Sequence, residues 1–259
     1  MQIKFHKYQG TGNDFVMIDD RDGSFPMDDS KVIGFLCDRK MGIGADGVIL
    51  IQNHPTLDFR MIYYNPDGSK SLCGNGSRCA IAFAEALGII KDKTTFETTD
   101  GEHDAFIEKD VYHFHLHDVK TIEDINDSEV FINTGSPHHV QFVNDLEAVD
   151  ILPEGSSIRY SEKYAPAGTN VNFVEQVESG IKVRTYERGV ENETLSCGTG
   201  VTACAIAASL KNYHSPVSVE TRGGQLTVSF EKSDTDTFEN IYLAGPAKKV
   251  FEGVVEVTL

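Results

Sequence analysis

The sequence reads Leu-Cys-Gly-Asn-Gly at positions 72–76 and Ser-Cys-Gly-Thr-Gly at positions 196–200. Each copy leads directly into an apolar, alanine-rich stretch, at 78–84 and at 203–208. Apolar residues on every side are typical of a helix that is buried in the core of a domain. The chain is therefore predicted to contain two similar halves, each with a cysteine at the start of its buried helix.

Two further segments repeat in the same order along the chain. Residues 10–16 resemble residues 168–174, and residues 96–101 resemble residues 219–224. The second pair follows the cysteine at nearly the same distance in both halves. Matched blocks at matched spacing indicate an internal repeat. Since the repeat is about half the chain, it predicts two like domains and not a solenoid.

Strand patterns dominate between these blocks, and the predicted fold class is α/β of the α+β type. We expect two pseudo-symmetric domains, each a mixed or antiparallel sheet wrapped around a central helix, with the active site in the cleft between them. The N-terminal half is predicted to cover 1–118, joined by a last strand at about 248–259, and the C-terminal half 119–247. The polar stretch 118–128 is the candidate domain junction.

Local signals place several elements within this frame. A helix is predicted over 30–40, with Ser30 as its N-cap. The helix after the first cysteine is predicted from about 77 to 87, with Gly88 as the residue that ends it. Residues 95–117 are predicted to form a β-meander, with alternating histidines on its solvent side.

Composition restricts the class of protein. The 259 residues carry 23 Lys and Arg against 40 Asp and Glu, for a net charge of −17. Such an acidic chain repels phosphate backbones, so no nucleic-acid partner is expected. The first residues lack an apolar core of signal-peptide length, and no segment is long and apolar enough to span a membrane, so we expect a cytoplasmic protein. Five cysteines at low density argue against a disulfide scaffold.

The chemistry expected at Cys73 and Cys197 follows from their place at a helix start. Glycines let main-chain N–H groups approach a ligand, and the helix N-terminus favours a carboxylate and a thiolate. A thiolate and a thiol from two duplicated halves can remove a proton from one face of a carbon and return one to the other face. This chemistry needs no cofactor and no metal. The remaining cysteines (Cys37, Cys79 and Cys204) lie in apolar helical stretches and are predicted to act as small buried hydrophobic residues.

Further motifs lie in one order over nearly the whole chain: Asn13-Asp14-Phe15, Gly42-Ile43-Gly44-Ala45-Asp46-Gly47, Asn65-Pro66-Asp67-Gly68-Ser69, Cys73-Gly74-Asn75-Gly76-Ser77-Arg78-Cys79, Gly135-Ser136-Pro137-His138, Gly168-Thr169-Asn170-Val171-Asn172-Phe173, Tyr186-Glu187-Arg188-Gly189 and Cys197-Gly198-Thr199-Gly200. Together they resemble the diaminopimelate epimerase family. The resemblance implies cofactor-independent interconversion of LL- and meso-diaminopimelate for lysine and peptidoglycan synthesis. It also implies two pseudo-symmetric domains, with one catalytic cysteine from each, and homodimers, which are frequent in the family.

The resemblance also implies roles for single residues. Cys73 and Cys197 are the acid and the base, and they exchange roles with the direction of the reaction. Glu187 meets a substrate ammonium group, and Arg188 binds the distal carboxylate in bidentate fashion. Four positions beside the cysteines are implied to bind the substrate through N–H groups: Gly74, Asn75, Gly198 and Thr199. The other implied substrate-binding positions are Asn13, Asn65, Ser136 and Asn170.

Two departures from the family pattern concern recognition of the distal end of the substrate. Some members carry Gln where this chain has Gly47, and many carry Asn where it has Ser136. The alternatives are a related cofactor-independent racemase of histidine or proline type, an isomerase of the phenazine-biosynthesis type, and a thiol redox or metal-binding protein. The phenazine type is expected to have a carboxylate in place of Cys73, and the chain has no Cys-x-x-Cys pair for the last class.

Overall fold

A computed structural model describes residues 1–27, 29–233 and 237–257, so the end of the predicted last strand, 258–259, lies outside the described residues. The described chain has mixed α+β structure in which strands dominate, which confirms the predicted fold class. It divides into two compact units. Unit 1 consists of Met1–Phe114 and the chain from Gly245 onward, and unit 2 of His115–Ala244. The domain division at 118 and 247 stays a prediction.

The strands are numbered in chain order. They are β1 (Gln2–Gly10), β2 (Asn13–Asp19), β3 (Gly47–Gln52), β4 (Phe59–Tyr64), β5 (Lys93–Thr98), β6 (Gly101–Glu108), β7 (Val111–Leu116), β8 (Ile122–Asn126), β9 (Glu129–Asn133), β10 (Pro137–Val143), β11 (Asn170–Val177), β12 (Gly180–Glu187), β13 (Asn192–Thr194), β14 (Val217–Thr221), β15 (Gly224–Lys232), β16 (Phe238–Gly245) and β17 (Lys248–Glu256). The α-helices are α1 (Ser30–Cys37), α2 (Gly74–Ala86), α3 (Ile151–Arg159) and α4 (Gly198–Ser209), and a short 3-10 helix covers Glu162–Tyr164.

In unit 1 the strands pair in an alternating pattern. Strand β1 is antiparallel to both β17 and β2. The next pairs are parallel (β2–β3), antiparallel (β3–β4) and parallel (β4–β5), and the antiparallel meander of β5, β6 and β7 follows. The meander confirms the prediction for residues 95–117.

Unit 2 has the same pattern. Strand β9 is antiparallel to both β8 and β10. The pairs that follow are parallel (β10–β11), antiparallel (β11–β12) and parallel (β12–β14), and an antiparallel meander of β14, β15 and β16 ends the series. Because α2 and α4 occupy the same place in the two series, the topology confirms the internal repeat. The candidate junction 118–128 contains β8, which belongs to unit 2.

The topology corrects one of the two matches between repeated segments. Residues 10–16 lead into β2, whereas 168–174 lead into β11, which corresponds to β3. The true counterpart of Thr11-Gly12-Asn13 is Thr134-Gly135-Ser136, which leads into β10. Gly12 (φ 85°) and Gly135 (φ 92°) both have left-handed backbone there. The sequence comparison was wrong because turns that contain Gly and Thr precede both β10 and β11 in the second half.

Helix α2 is buried along nearly its whole length and packs on β1, β2, β3 and β4. It begins at Gly74 and not near Ser77 as predicted, because the extended Cys73 already serves as its N-cap. It ends as predicted at Gly88, whose φ is 71°. The N–H groups of Gly88 and Ile89 bond to the carbonyls of Glu85 and Ala84, a Schellman motif.

Helix α4 repeats this arrangement in unit 2 and packs on the sheet strands from β9 to β15. It starts directly after Cys197, as predicted. Helix α1 differs from its prediction at both ends. Its N-cap is Asp29, whose carboxylate accepts from Lys31 N–H, and it stops at Cys37 because Asp38 caps the following turn. No helix among the described residues is long and apolar enough to cross a membrane.

Candidate active site

Cys73 lies at the N-terminus of α2 with extended backbone (φ −135°, ψ 112°). Its Sγ accepts the N–H of Gly76 at 3.4 Å. Gly74 and Asn75, the first two residues of the helix, are buried. The first N–H groups of a helix have no acceptor within it and carry partial positive charge. This end of α2 is therefore suited to an anion, either a ligand carboxylate or the Cys73 thiolate.

Asn13 connects Cys73 with the rest of unit 1. Its Oδ1 accepts from the Cys73 thiol at 3.4 Å and from Asn75 Nδ2 at 3.3 Å. Its Nδ2 donates to Asp46 Oδ2 at 2.6 Å, which holds the amide in this orientation. Three of the predicted site residues, Asn13, Cys73 and Asn75, are thus in mutual contact.

A charged network holds Asp46 and the start of β2 in place. Arg39 binds Asp14 through both Nη atoms and also contacts Asp46 at 2.7 Å. The buried Lys7 contacts Asp14 at 2.7 Å. Burial alone would raise the pKa of Asp14, but the hydrogen bonds from Arg39 and Lys7 outweigh it and lower that pKa to about 2. Asp14 therefore stays ionised even at mildly acidic pH and anchors the loop before β3.

Asn65 lies in the turn after β4. Its Nδ2 donates to Ser69 Oγ at 3.0 Å and Ser71 Oγ at 3.1 Å, and its N–H bonds to the Ser69 carbonyl at 2.8 Å. These contacts shape the turn that leads toward Cys73. The structure places Asn65 in this turn and shows no contact between it and Asn13 among the described residues.

Cys197 is the N-cap of α4, with extended backbone (φ −119°, ψ 111°). Its Sγ lies 3.6 Å from Thr199 Oγ1. The Thr199 carbonyl accepts from Thr134 Oγ1 at 3.0 Å, and this bond fixes the first turn of the helix to the segment before β10. Gly198 is buried at the first helical position. The two cysteines thus occupy equivalent positions in the repeat.

His138 lies fully buried under this helix start. Its Nε2 is 3.0 Å from Thr199 Oγ1 and 3.2 Å from Ser136 Oγ, and its Nδ1 is 3.2 Å from Asn172 Nδ2. Burial lowers the pKa of His138 to about 3, and the charge of Arg188 contributes in the same direction. The imidazole is therefore neutral at pH 7. Because Asn172 donates to Nδ1, the proton belongs on Nε2, facing Thr199 or Ser136.

Asn170 joins two other predicted residues. Its Nδ2 donates to Ser136 Oγ at 2.9 Å and to the Pro137 carbonyl at 3.0 Å, while its Oδ1 accepts the Arg188 N–H at 2.9 Å. Arg188 follows β12 and is half-buried, with its Nη1 3.5 Å from the Ala167 carbonyl. Glu187, the last residue of β12, is also half-buried. Asn170 therefore positions Ser136 and Arg188.

The two departures from the family pattern differ in their surroundings. A Cβ at Gly47 would lie 2.3 Å from Tyr63 Cε2, so the tyrosine ring fills the space that a side chain would need. Ser136 instead has space for its hydroxyl and uses it to contact Asn170 and His138. The two departures therefore differ: at Gly47 the space is occupied, and at Ser136 the side chain takes part in hydrogen bonds.

The other three cysteines are buried, as predicted. Burial raises the pKa of Cys37 to about 11 and raises the pKa of Cys79 and Cys204 further. They are therefore neutral thiols at pH 7. Of the predicted solvent-side histidines, His113 is half-buried and stacks on Phe106 with ring centroids 4.1 Å apart.

Sequence reasoning missed four residues that build these surroundings: Thr11, Arg78, His138 and Asn172. His138 and Arg78 stand inside motifs that were singled out, but nothing local distinguishes a buried polar side chain from an exposed one. Their burial is a property of the tertiary structure, in which each is hydrogen-bonded to a residue distant in the chain.

Comparison with known proteins gives one consistent family. The family model described as diaminopimelate epimerase matches residues 5–121 and 130–250. A diaminopimelate epimerase from Flavobacterium psychrophilum is 52% identical over 258 residues, covering 98% of this chain and 100% of that protein. One from Aquifex aeolicus is 44% identical over 279 residues, covering 97% of each.

Solved structures with low sequence identity share the fold. A phenazine biosynthesis protein of the PhzF family from Bacillus anthracis superposes with a TM-score of 0.77 at 17% identity, over 99% of this chain and 100% of that chain. A hydroxyproline epimerase from Agrobacterium vitis gives a TM-score of 0.72 at 13% identity, over 98% and 92%. At such identities the likeness concerns the fold alone.

Proposed function

The chain belongs to the diaminopimelate epimerase family, a family of isomerases, and on this premise we propose that it interconverts LL- and meso-diaminopimelate. The reaction serves the synthesis of lysine and of peptidoglycan precursors. We further propose that it uses two thiols and no cofactor.

One observation carries this proposal. Cys73 and Cys197 are the N-caps of α2 and α4, two buried helices at equivalent positions of the repeat. A thiol at a helix N-terminus is favoured as thiolate, the form that acts as a base. An epimerase without cofactor needs two such groups, one to accept and one to donate a proton.

The proposed reaction transfers protons only. The thiolate of one cysteine takes the α-proton, so that a C–H bond breaks and an S–H bond forms. The carbanion is stabilised through its carboxylate by the N–H groups of Gly74, Asn75, Gly198 and Thr199. The second cysteine then gives its thiol proton to the opposite face of the α-carbon. One thiolate and one thiol remain, with their roles exchanged.

We assign the ends of the substrate to polar side chains. Arg188 is suited to the distal carboxylate because a guanidinium pairs with a carboxylate through two parallel hydrogen bonds. Its N–H is held by Asn170, and Ser136 is oriented by the same amide. Glu187 is proposed to bind an ammonium group, and Asn13 and Asn65 to bind other polar atoms of the substrate.

The test is NMR of LL-diaminopimelate with the purified, reduced protein in D₂O, without added cofactor. We expect deuterium at an α-carbon together with meso product. Replacing either acting thiol removes a proton carrier, so Cys73→Ala and Cys197→Ala are expected to lower kcat/KM by at least about a hundredfold.

Cys37→Ala is the matched control, because this thiol is buried in α1 and is expected to leave kcat/KM within about threefold. Absence of exchange with diaminopimelate in the folded, reduced protein would contradict the proposed substrate. Exchange with histidine or proline instead would assign the chain to a related racemase activity. Exchange that survives both thiol replacements would contradict the two-thiol mechanism.

A further inference from the structure

Arg78 lies inside α2, C-terminal to Cys73, and its side chain is fully buried. Its Nη2 donates to Asn75 Oδ1 at 3.0 Å and to Thr11 Oγ1 at 3.1 Å. Its Nε and Nη1 are also buried, and neither has a hydrogen-bond partner among the described residues. Within residues 1–27, 29–233 and 237–257 no carboxylate pairs with this guanidinium. Arg78 is thus a buried cation without a fixed counter-anion.

Such a charge is costly unless an anion compensates it. Burial lowers the pKa of Arg78 to about 10, and the thiols of Cys79 and Cys73 oppose this effect. Arg78 is therefore still protonated at pH 7. The Cys79 thiol is fully buried and its pKa is raised well above the usual range, so it stays neutral. Cys73 is the remaining neighbour that can supply the negative charge.

Hydrogen bonds link Arg78 to Cys73 through Asn75 and Asn13. A long side chain in a helix leans toward the helix N-terminus, which places the guanidinium beside the first turn of α2. Asn75 accepts from Arg78 and donates to Asn13 Oδ1 at 3.3 Å. The Cys73 thiol donates to the same oxygen at 3.4 Å. Asn13 Oδ1 favours the thiol form of Cys73, because it can only accept a hydrogen bond. The Arg78 charge polarises the Asn75 amide, which strengthens the bond from Asn75 to this oxygen and weakens the competing bond from the thiol.

The other charged groups around this end of α2 are already paired. On β1, Lys7 contacts Asp14 of β2 at 2.7 Å. In the loop before β3, Asp46 is bound by Arg39, which also binds Asp14. Tyr8 on β1 has its pKa raised by burial and stays neutral. None of these groups compensates Arg78.

The second half of the repeat has no corresponding cation. The position of Arg78 in α2 is occupied in α4 by Thr202, which is fully buried and donates to the Gly198 carbonyl at 3.0 Å. Thr134, the counterpart of Thr11, donates to the Thr199 carbonyl at 3.0 Å, whereas Thr11 accepts from Arg78. The buried charge is therefore a feature of unit 1 alone.

We propose that Arg78 is a positioning residue whose buried charge stabilises the thiolate form of Cys73. Cys73 then has support for both of its forms: the Asn13 oxygen accepts from the thiol, and the Gly76 N–H together with the nearby Arg78 charge favours the thiolate. A group that must accept and donate protons in turn benefits from this balance. The inference rests on the proposed function only for the role of Cys73, since ionisation of the thiol is measurable without substrate.

The test is the pH dependence of iodoacetamide alkylation at Cys73 and Cys197 in the reduced full chain, resolved by tandem mass spectrometry. In Arg78→Met the pH of half-maximal alkylation at Cys73 is expected to rise by about one unit, because an opposite charge nearby typically shifts a pKa by one unit or more. At pH 7 this is a rate about tenfold lower. The pH of half-maximal alkylation at Cys197 is expected to change by no more than about 0.3 units, which corresponds to a minor electrostatic change.

Three variants complete the test. Arg78→Lys retains the charge and is expected to keep the pH of half-maximal alkylation at Cys73 close to that of the parent protein. Thr202→Val is the matched change in α4 and is expected to leave alkylation of Cys197 unchanged. If circular dichroism shows that Arg78→Met does not fold, Arg78→Gln replaces it, because glutamine keeps an amide donor for Asn75 and Thr11. Arg78→Gln is expected to show the same rise in the pH of half-maximal alkylation at Cys73. An unchanged Cys73 profile in the folded neutral variants, or equal shifts at both cysteines, would overturn the proposal, whatever the epimerase activity.

Discussion

At the scale of single residues, the two halves place different groups under the same helix start. A Cβ at Gly76 would lie 3.5 Å from Phe15, and one at Gly200 would lie 3.3 Å from His138. Phe15 and His138 thus occupy corresponding places, and so do Ile49 and Asn172, which lie nearest to the added Cβ atoms, at 3.0 Å and 2.5 Å. The surroundings are apolar in unit 1 and hydrogen-bonded in unit 2. The repeat conserves backbone geometry while the chemistry around each thiol differs.

The neutral His138 makes a prediction about acid stability. Its folded pKa of about 3 lies below the usual value, so between about pH 6.5 and pH 3 the unfolded chain binds a proton that the folded protein does not. This contribution to stability is complete above about pH 6.5 and is lost as the pH falls, by up to about 1.4 kcal/mol per pH unit. Removing the imidazole in His138→Gln is expected to flatten the decline of unfolding free energy between pH 6.5 and pH 4.5.

The measurement is urea unfolding followed by circular dichroism, since the chain contains no tryptophan. The control is His214→Gln, a change at an exposed histidine of the same unit. Its unfolding free energy is expected to follow the parent protein at every pH. Identical slopes for His138→Gln and the parent would show that His138 titrates equally in both states.

At the scale of secondary-structure elements, two glycines differ in their effect on a helix: one lies within α1, and the other lies just after α2. Gly34 lies within α1, and a Cβ there would meet only the Pro66 carbonyl at 3.5 Å, an ordinary contact. Gly88 follows α2 with φ 71°, where a Cβ meets nothing within 4 Å but the backbone is strained for other residues. Both positions therefore have space for a Cβ atom, and the backbone conformation decides whether alanine raises or lowers the stability.

We expect Gly34→Ala to raise the unfolding free energy by about 0.5–1 kcal/mol, because alanine loses less entropy in a helix. Gly88→Ala is expected to lower it by about 1 kcal/mol, because the Schellman motif requires left-handed backbone. Urea midpoints of the two variants, measured side by side, check the pair. Changes of the same sign in both would contradict this explanation of the helix end.

At the scale of the whole chain, unit 1 is completed by residues from both termini. Strand β17 pairs with β1 from Gln2–Glu256 to Gln9–Lys248, and the Val257 N–H donates to the Met1 carbonyl at 2.8 Å. The Val257 side chain is 3% exposed and joins a core cluster with Ile3 and Phe5. The last residues of the described chain are thus part of the first domain core.

The matched pair Val257→Asp and Val254→Asp tests this closure. Val257→Asp buries a charge that has no partner and is expected to lower the unfolding free energy by about 3 kcal/mol or more. Val254 is 62% exposed and lies opposite Lys4, so the same change there is expected to stay within about 0.5 kcal/mol. Similar midpoints of urea unfolding for both variants would contradict a structural role for the C-terminal strand.

Much of this protein is determined by its sequence alone. The cysteines at the helix starts, the buried helices, the meanders and the family follow from periodicity, glycine placement and motif order, because these act over a few residues or are retained between relatives. The helix boundaries predicted from the sequence were less accurate than the predicted positions of the helices. The N-caps at Cys73 and Asp29 depend on side-chain hydrogen bonds for which neighbouring residues compete.

The tertiary structure decided what surrounds the thiols. It showed that 11–13 corresponds to 134–136 before β10, that Asn170 orients Ser136 and Arg188, and that Arg78 is buried with no paired anion among the described residues. These relations join residues that are far apart in the chain, and a local pattern reads the same whether a polar side chain is covered or exposed. Burial sets the cost of a charge, so only the folded chain shows that the repeat is electrostatically asymmetric.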